Sequence, residues 1–261
     1  MKRIQSQDRQ RVKRAAQVLS WISYATRPLT MKEIQYALAV ERGDRYIVEE
    51  ALPDKNLLIS ACAGLLSVDH ESDIVRLIHY TAQEYFERTR LRYFPSAQTE
   101  VAIICLTYLS FDIFAGGCCL SDQETEAKLK KNPLLHYTAK NWGHHVRDIE
   151  QNQIIQSMVL DFLDKELKVS CSVQIQHIPR CKFKGYTLQF PRDVSDLQIA
   201  ASFGLKEIAK VLIERGANVA AENSNGETSL HSAASNGYME VVEILLNNDA
   251  ECQALAGRCN R

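Results

Sequence analysis

Apolar positions between residues 9 and 25 fall at Val12, Ala15, Ala16, Leu19, Ile22 and Tyr24, with Arg11, Lys13 and Arg14 between them. That spacing predicts an amphipathic helix, capped by Ser6 or Asp8. Arg27-Pro28 ends it, because a residue before proline avoids the α region. Thr30 with Glu33 three positions on forms a capping box for a second helix, Met31 to about Val40, whose apolar set is Ile34, Ala37 and Leu38. A third helix is expected over Pro53 to Ala63. The period then falls to two. Leu66 and Val68 alternate around Ser67, Val75 and Leu77 around Arg76, and His70-Glu71-Ser72-Asp73 lies between them, which predicts a β-hairpin. Thr81, with Glu84 three residues later, is expected to cap the next helix. Three helices followed by a hairpin is the order of a winged helix.

Further along, Val101 to Leu109 is an apolar run that reads as a buried helix, too short for the ~18 residues a membrane span requires. Ser121-Asp122 opens a polar helix in which Glu124 and Lys128 have the spacing of a helical ion pair. Residues 132–148 and Gln153 to Leu163 supply further helices, which predicts helix pairs stacked as a nascent solenoid. Residues 168–192 show no clean period: Val173 and Ile175 alternate briefly, and Pro179, Gly185 and Pro191 interrupt. They read as a linker or a decayed repeat.

The last part of the chain repeats itself. Leu197 pairs with Leu230, Ala200 with Ala233, Gly204 with Gly237, Leu212 with Leu245 and Ala217 with Ala250, always 33 residues apart. A fixed period of that length marks stacked helical repeats. Within it, Leu197, Ala200, Ala201, Gly204, Gly216, Thr228, Leu230, His231, Ala233, Ala234 and Gly237 form the repeating skeleton. Ile208, Val211, Leu212, Val241, Val242 and Leu245 are the packing stripes. Gly216 is expected to end the longer helix of the first unit, a place Asp249 takes in the second.

Both blocks resemble the ankyrin repeat. Thr228 and His231 match its T-P-L-H motif with Ser229 in place of proline, and Ser195-Asp196-Leu197-Gln198 matches it more loosely. The resemblance implies that His231 ties adjacent repeats by hydrogen bonds and has no role as a base. Residues 19–41, 62–69 and 75–86, with Arg-Pro-Leu-Thr and His-Tyr-Thr-Ala, resemble the winged-helix segment that follows the nucleotide-binding module in fungal NACHT–ankyrin proteins, a segment catalogued under the name of GPI inositol-deacylase. The helix at 132–148 is similar to one that family places between winged helix and repeats. The expected fold is therefore mainly α: a winged-helix domain with a small β-hairpin (1–95), a helical connector (96–167), a linker or degenerate repeat (168–192), and an ankyrin-repeat solenoid (193–261) with recognisable units at 195–222 and 228–254. Two units are fewer than the ~3 that stand alone. The connector is expected to supply a cap, or the chain to be a piece of a longer array.

Composition narrows the function classes. Hydrophobic residues make up 46% and charged ones 24%, with a net charge of −1, so no overall field draws the chain to nucleic acid or an anionic membrane. The eight cysteines have neither zinc-finger spacing nor the density of a secreted scaffold, and the basic N-terminus lacks an apolar signal core. These features read as intracellular, cytoplasmic with the nucleus left open, and with no membrane partner. There is no G-x-x-x-x-G-K-[ST] and no G-x-S-x-G, so neither a phosphate-cradling loop nor a nucleophile elbow is present.

Candidate chemistry lies at three places. His136, His144 and His145 with Cys118 and Cys119 lack metal-ligand spacing, and read as core and helix-end residues. Lys55 and Asn56 on the third helix are all it offers to DNA, while Glu71 and Asp73 make the wing acidic. Arg180, Lys182, Lys184 and Arg192, interleaved with Phe183 and Tyr186, form a local basic patch that reads as solvated. The expectation is a chain with no catalytic residue, no metal and no cofactor. It binds a protein partner through the ankyrin face, with Ala221, Asn223, Asn225, Ser232, Ser235, Asn236 and Tyr238 as contact candidates. The resemblance adds an N-terminal nucleotide-binding module that this chain lacks, and a role as connector and sensor portion of a NACHT–ankyrin regulator. A winged-helix DNA-binding regulator is the alternative, and a hydrolase the remote one.

Overall fold

The computed structural model describes residues 2–248. Contacts divide the chain into two compact units: Met1–Ile113 with Ala127–Asn141, and Phe114–Glu126 with the chain from Trp142 onward.

The first unit opens with α1 (Lys2–Gln5) and α2 (Arg9–Tyr24). Asp8 sets the start of α2, its carboxylate accepting the amides of Gln10 and Arg11, both at 3.0 Å. Ala15, Val18, Leu19 and Trp21 of α2 are buried at the centre of the unit. Around them lie α3 (Met31–Ala39), α4 (Lys55–Ala61), α5 (Tyr80–Tyr93), α6 (Ala97–Leu109) and an antiparallel hairpin, β1 (Leu66–Val68) with β2 (Val75–Leu77), in the register Leu66↔Leu77. The chain before α3 runs beside β2: Val75 donates to the Leu29 carbonyl and Met31 to that of Asp73, each at 2.8 Å.

Arg-Pro-Leu-Thr acquires a physical meaning here. Thr30 and Glu33 close the expected capping box, and Arg27 grips the same Glu33 carboxylate with both guanidinium nitrogens, at 2.6 and 3.1 Å. Glu33 is buried, so this fork offsets the cost of taking its charge out of water. The cap of α5 differs from expectation. The helix starts at Tyr80 after His79, with no side chain capping it, so Thr81 already lies inside it.

The helices α7 (Asp122–Lys131) and α8 (Leu135–Arg147) contribute residues to both units. At the start of α7, Glu124 turns back to accept the Leu120 amide at 2.9 Å. Tyr137 on α8 belongs to the first unit, where its hydroxyl accepts the Thr26 amide and its ring meets Trp21 edge-on.

The second unit continues with α9 (Gln153–Leu163), α10 (Glu166–Gln176), α11 (Asp196–Phe203), α12 (Lys206–Glu214), α13 (Ser229–Ser235) and a helix over 239–248, α14. The helix α10 is a correction, since its residues 168–176 showed no clean period. Its pattern is obscured because polar Ser172 and Gln174 are buried alongside Val173 and Ile175. Gln174 is fully used: its carbonyl accepts the Cys119 amide at 2.7 Å, and its amide donates to the carbonyls of Cys119 and Thr187. Asp122 then anchors the following loop through the amides of Gly185 and Thr187. No helix among the described residues is long and apolar enough to cross a membrane.

Candidate interaction face

The turn before α13 is built by Asn223. Its side-chain carbonyl accepts the amides of Asn225 and Glu227, at 2.9 and 3.1 Å, while its own amide donates to the Glu227 carbonyl. Gly226 supplies the left-handed residue, at φ 75°. Asn223 is therefore a buried turn-former, and its candidacy as an exposed contact is corrected. Asn225 is exposed at the tip and Ala221 half-exposed beside it.

A second finger precedes this one. Ser224 donates its amide to the Arg192 carbonyl at 2.9 Å, and Arg192 returns its amide to the Ser224 hydroxyl at 2.8 Å. Asp193, 33 residues before Gly226, also has a positive φ, 57°. Residues 190–194 thus form the finger of the first repeat, within the stretch whose punctuation suggested a linker. The signal was present: subtracting the period from Asn225-Gly226 lands on Arg192-Asp193, and aspartate tolerates the left-handed region.

Gln198, the counterpart of His231 33 residues earlier, makes in the first repeat the tie expected of that position. Gln198 is buried. It accepts the Ser195 amide at 2.8 Å and donates across to the Glu227 carbonyl, so it caps its own helix and ties the two repeats together. The exposed His231 ring faces Thr228 of its own repeat, accepting that residue's amide at 3.2 Å. A tie from His231 equivalent to that of Gln198 would fall at position 260, outside the described residues.

Leu197, Ala200, Ala201 and Ala233 are buried, as a repeat core requires, while Leu230 is half-buried and Ala234 exposed. Gly204, Gly216 and Gly237 all take positive φ at helix ends. On α13, Ser232 is half-buried. Exposed Ser235 and Asn236 each donate to its carbonyl, leaving their remaining polar capacity toward solvent. Tyr238 is corrected as a free contact: its hydroxyl accepts a bond from Arg147 at 3.0 Å, and a Cβ at Gly204 would lie only 2.6 Å from its ring. Asp249 and Ala250 lie outside the described residues.

The connector end of α8 packs on the first repeat as a preceding layer would. Phe203 of α11 sits over Gly143, with Trp142 at 5.0 Å and His144 at 5.3 Å between ring centroids. The buried Glu150 carboxylate accepts the Glu207 amide at 3.0 Å, at the start of α12, which has no side-chain cap of its own. Burial pushes its pKa up, against the lowering effect of that amide bond.

The other candidates are spread apart. Burial lowers both His136 and His145 to about 4, keeping them neutral, and among the described residues no group of three metal-ligating side chains converges. Lys55 is paired with Asp73 of the wing at 2.7 Å. In the basic patch, Lys182 is paired with Glu126 and the Arg192 guanidinium lies over the Phe190 ring.

Comparison with known proteins agrees with this geometry. Residues 2–104 match the family described as GPI inositol-deacylase, winged helix domain, and residues 183–256 match ankyrin repeats. An ankyrin repeat protein of Rickettsia felis is 31% identical over 64 residues, which cover 96% of that protein. The chain belongs to the ankyrin-repeat proteins. Its organisation is a GPI inositol-deacylase-type winged helix followed by ankyrin repeats. The azaphilone pigments biosynthesis cluster protein L of Monascus ruber is 26% identical along 90% of this chain, which spans 55% of that relative's length. Mouse rabankyrin-5 is 40% identical over 52 residues, 4% of its own length. No solved structure matches the chain significantly.

Proposed function

We propose that this ankyrin-repeat protein is a non-catalytic interaction module that recognises a protein partner through the finger side of its repeats. The observation that supports this reading is the pair of successive fingers, stitched together at Arg192 and Ser224, which present exposed polar groups at Asn225 and along α13 at Ser235 and Asn236. Ala221 and Ser232, both half-exposed, flank that surface. Such a surface has its backbone already ordered, so binding has less conformational entropy to overcome. A non-catalytic role is consistent with the engagement of the His231 ring by Thr228 and with the burial of His145.

Within that reading, the winged helix acts as a connector, and the whole serves as the sensor-side portion of a NACHT–ankyrin regulator whose nucleotide switch resides in another module. The pairing of Lys55 with Asp73 leaves the α4 end poorly supplied with cations for phosphate, which weighs against the DNA-binding alternative. The test is selection of binders from a displayed protein library on the full chain, followed by Asn225→Ala with Asn236→Ala. Binding should fall by about tenfold or more with unchanged circular dichroism, whereas Lys210→Ala on the exposed side of α12 should leave it unaltered. Binders indifferent to the finger-side pair would refute the assignment.

A further inference from the structure

A cavity of about 540 Å³ opens at the base of the first finger, within the range typical of ligand pockets. Its floor is apolar, formed by Leu163, Val169, Val173 and Phe190. Its rim carries four carboxylates, Asp164, Glu166, Asp193 and Asp196, against the single cation of Arg192. Among the described residues none of the four is held in an ion pair, and the Arg192 guanidinium is turned onto the Phe190 ring at 4.7 Å. Asp196 is raised from the usual carboxylate range, first by burial and then by the negative charge of Asp164. Two like charges facing an apolar floor are favoured by a cation brought from outside. Leu167 is largely exposed at the mouth, a contact surface for an apolar neighbour of that cation.

We propose that this cavity receives a basic segment of a partner protein, with a lysine or arginine between Asp164 and Asp196 and a flanking apolar residue on Leu167 and Phe190. The proposal rests on the reading of the finger side as a recognition surface, and it names the chemistry of what is recognised. Charge complementarity selects the occupant: an acidic or neutral segment would add repulsion or leave the carboxylates unanswered. The long aliphatic stem of lysine or arginine suits a pocket that is apolar below and anionic at its rim.

The test is selection of random twelve-residue peptides displayed on phage against the full chain. Recovered peptides should be enriched in lysine and arginine beside apolar residues. A synthetic member should lose about tenfold or more in affinity in the Asp164→Asn, Asp196→Asn double variant, and again on raising salt to about 0.5 M. Asparagine keeps the side-chain size, and circular dichroism checks the fold. Peptides without basic enrichment, or an affinity untouched by the double variant, would overturn the proposal. Should binding depend on Asn225 and Asn236 alone, the general reading stands and the cavity assignment falls; should neither set of substitutions matter, both fall. Spermidine binding alone as tightly as the peptide would make this a small-cation site and refute the peptide assignment.

Discussion

Replacing Gly143 by alanine tests whether the connector forms a layer of the array. In an ordinary helix the change stabilises by about 1 kcal/mol, because glycine is a poor helix former. Here the new Cβ would sit 2.1 Å from one Phe203 ring carbon and 2.5 Å from two others, against the roughly 3.5–4.0 Å of a comfortable carbon contact. The ring is buried and held by Trp142 and His144, so it has little room to yield. Overpacking at the upper end of the usual range, about 3 kcal/mol, outweighs the helix gain and leaves a net loss of about 2 kcal/mol. For a unit of this size that lowers Tm by roughly 4–8 °C. Urea unfolding followed by Trp142 fluorescence in a Trp21→Phe background reports on the second unit. Phe203→Ala, which removes all three of those carbons, should be destabilising alone, yet Gly143→Ala added to it should be neutral or stabilising, a coupling of about 2 kcal/mol in the double-mutant cycle. If Gly143→Ala raises the stability of the otherwise unaltered chain, the close packing of α8 on the repeat is refuted.

Gln198→Ala should cost about 1–2 kcal/mol, since the half-buried Ser195 amide loses its acceptor and the Glu227 carbonyl keeps only the Asn223 amide, and hydrogen exchange should quicken first in residues 223–228; unchanged exchange there would deny Gln198 its bridging role. The folded pKa of His145 is lowered by burial to about 4. Its contribution is therefore fully present above the ordinary value near 6.5 and is lost as pH falls from there toward 4, by up to about 3 kcal/mol. Denaturant titrations over that window should lose part of the slope in His145→Gln, the remainder belonging to His136, which burial lowers alike; an unaltered slope would deny His145 its share. Glu150 has the opposite sense: a raised folded pKa means stability present below the ordinary carboxylate value and lost as pH rises. Glu150→Gln should accordingly match or exceed the parent at pH 7 and lose that advantage near pH 4, whereas a less stable variant at pH 7 would show the charge itself to be required.

Elements whose polar and apolar residues kept to their own faces were legible in the sequence. Met31–Ala39 with its capping box, the Leu66–Leu77 hairpin and the 33-residue repeat all emerged from period and turn chemistry. The helix at Glu166–Gln176 did not, because Gln174 is a core residue whose amide is satisfied only by groups 55 and 13 positions away. The first finger was hidden for a related reason, with aspartate filling a place that glycine fills one repeat later. Candidate contacts were harder still. Asn223 and Tyr238 are polar in sequence, yet one builds a turn and the other fills the space above Gly204. The acidic cavity joins residues of α9, α10, the first finger and the loop at Gly116, a convergence with no local signature.

The seating of Phe203 on Gly143 also limits how this array can be transplanted. A fragment cut where the repeat motif begins would carry a bare phenylalanine and an α12 start deprived of Glu150. Any hybrid that borrows these repeats must bring residues 142–150 with them, or design a substitute first layer. The heritable building block is therefore longer than the repeat that advertises it.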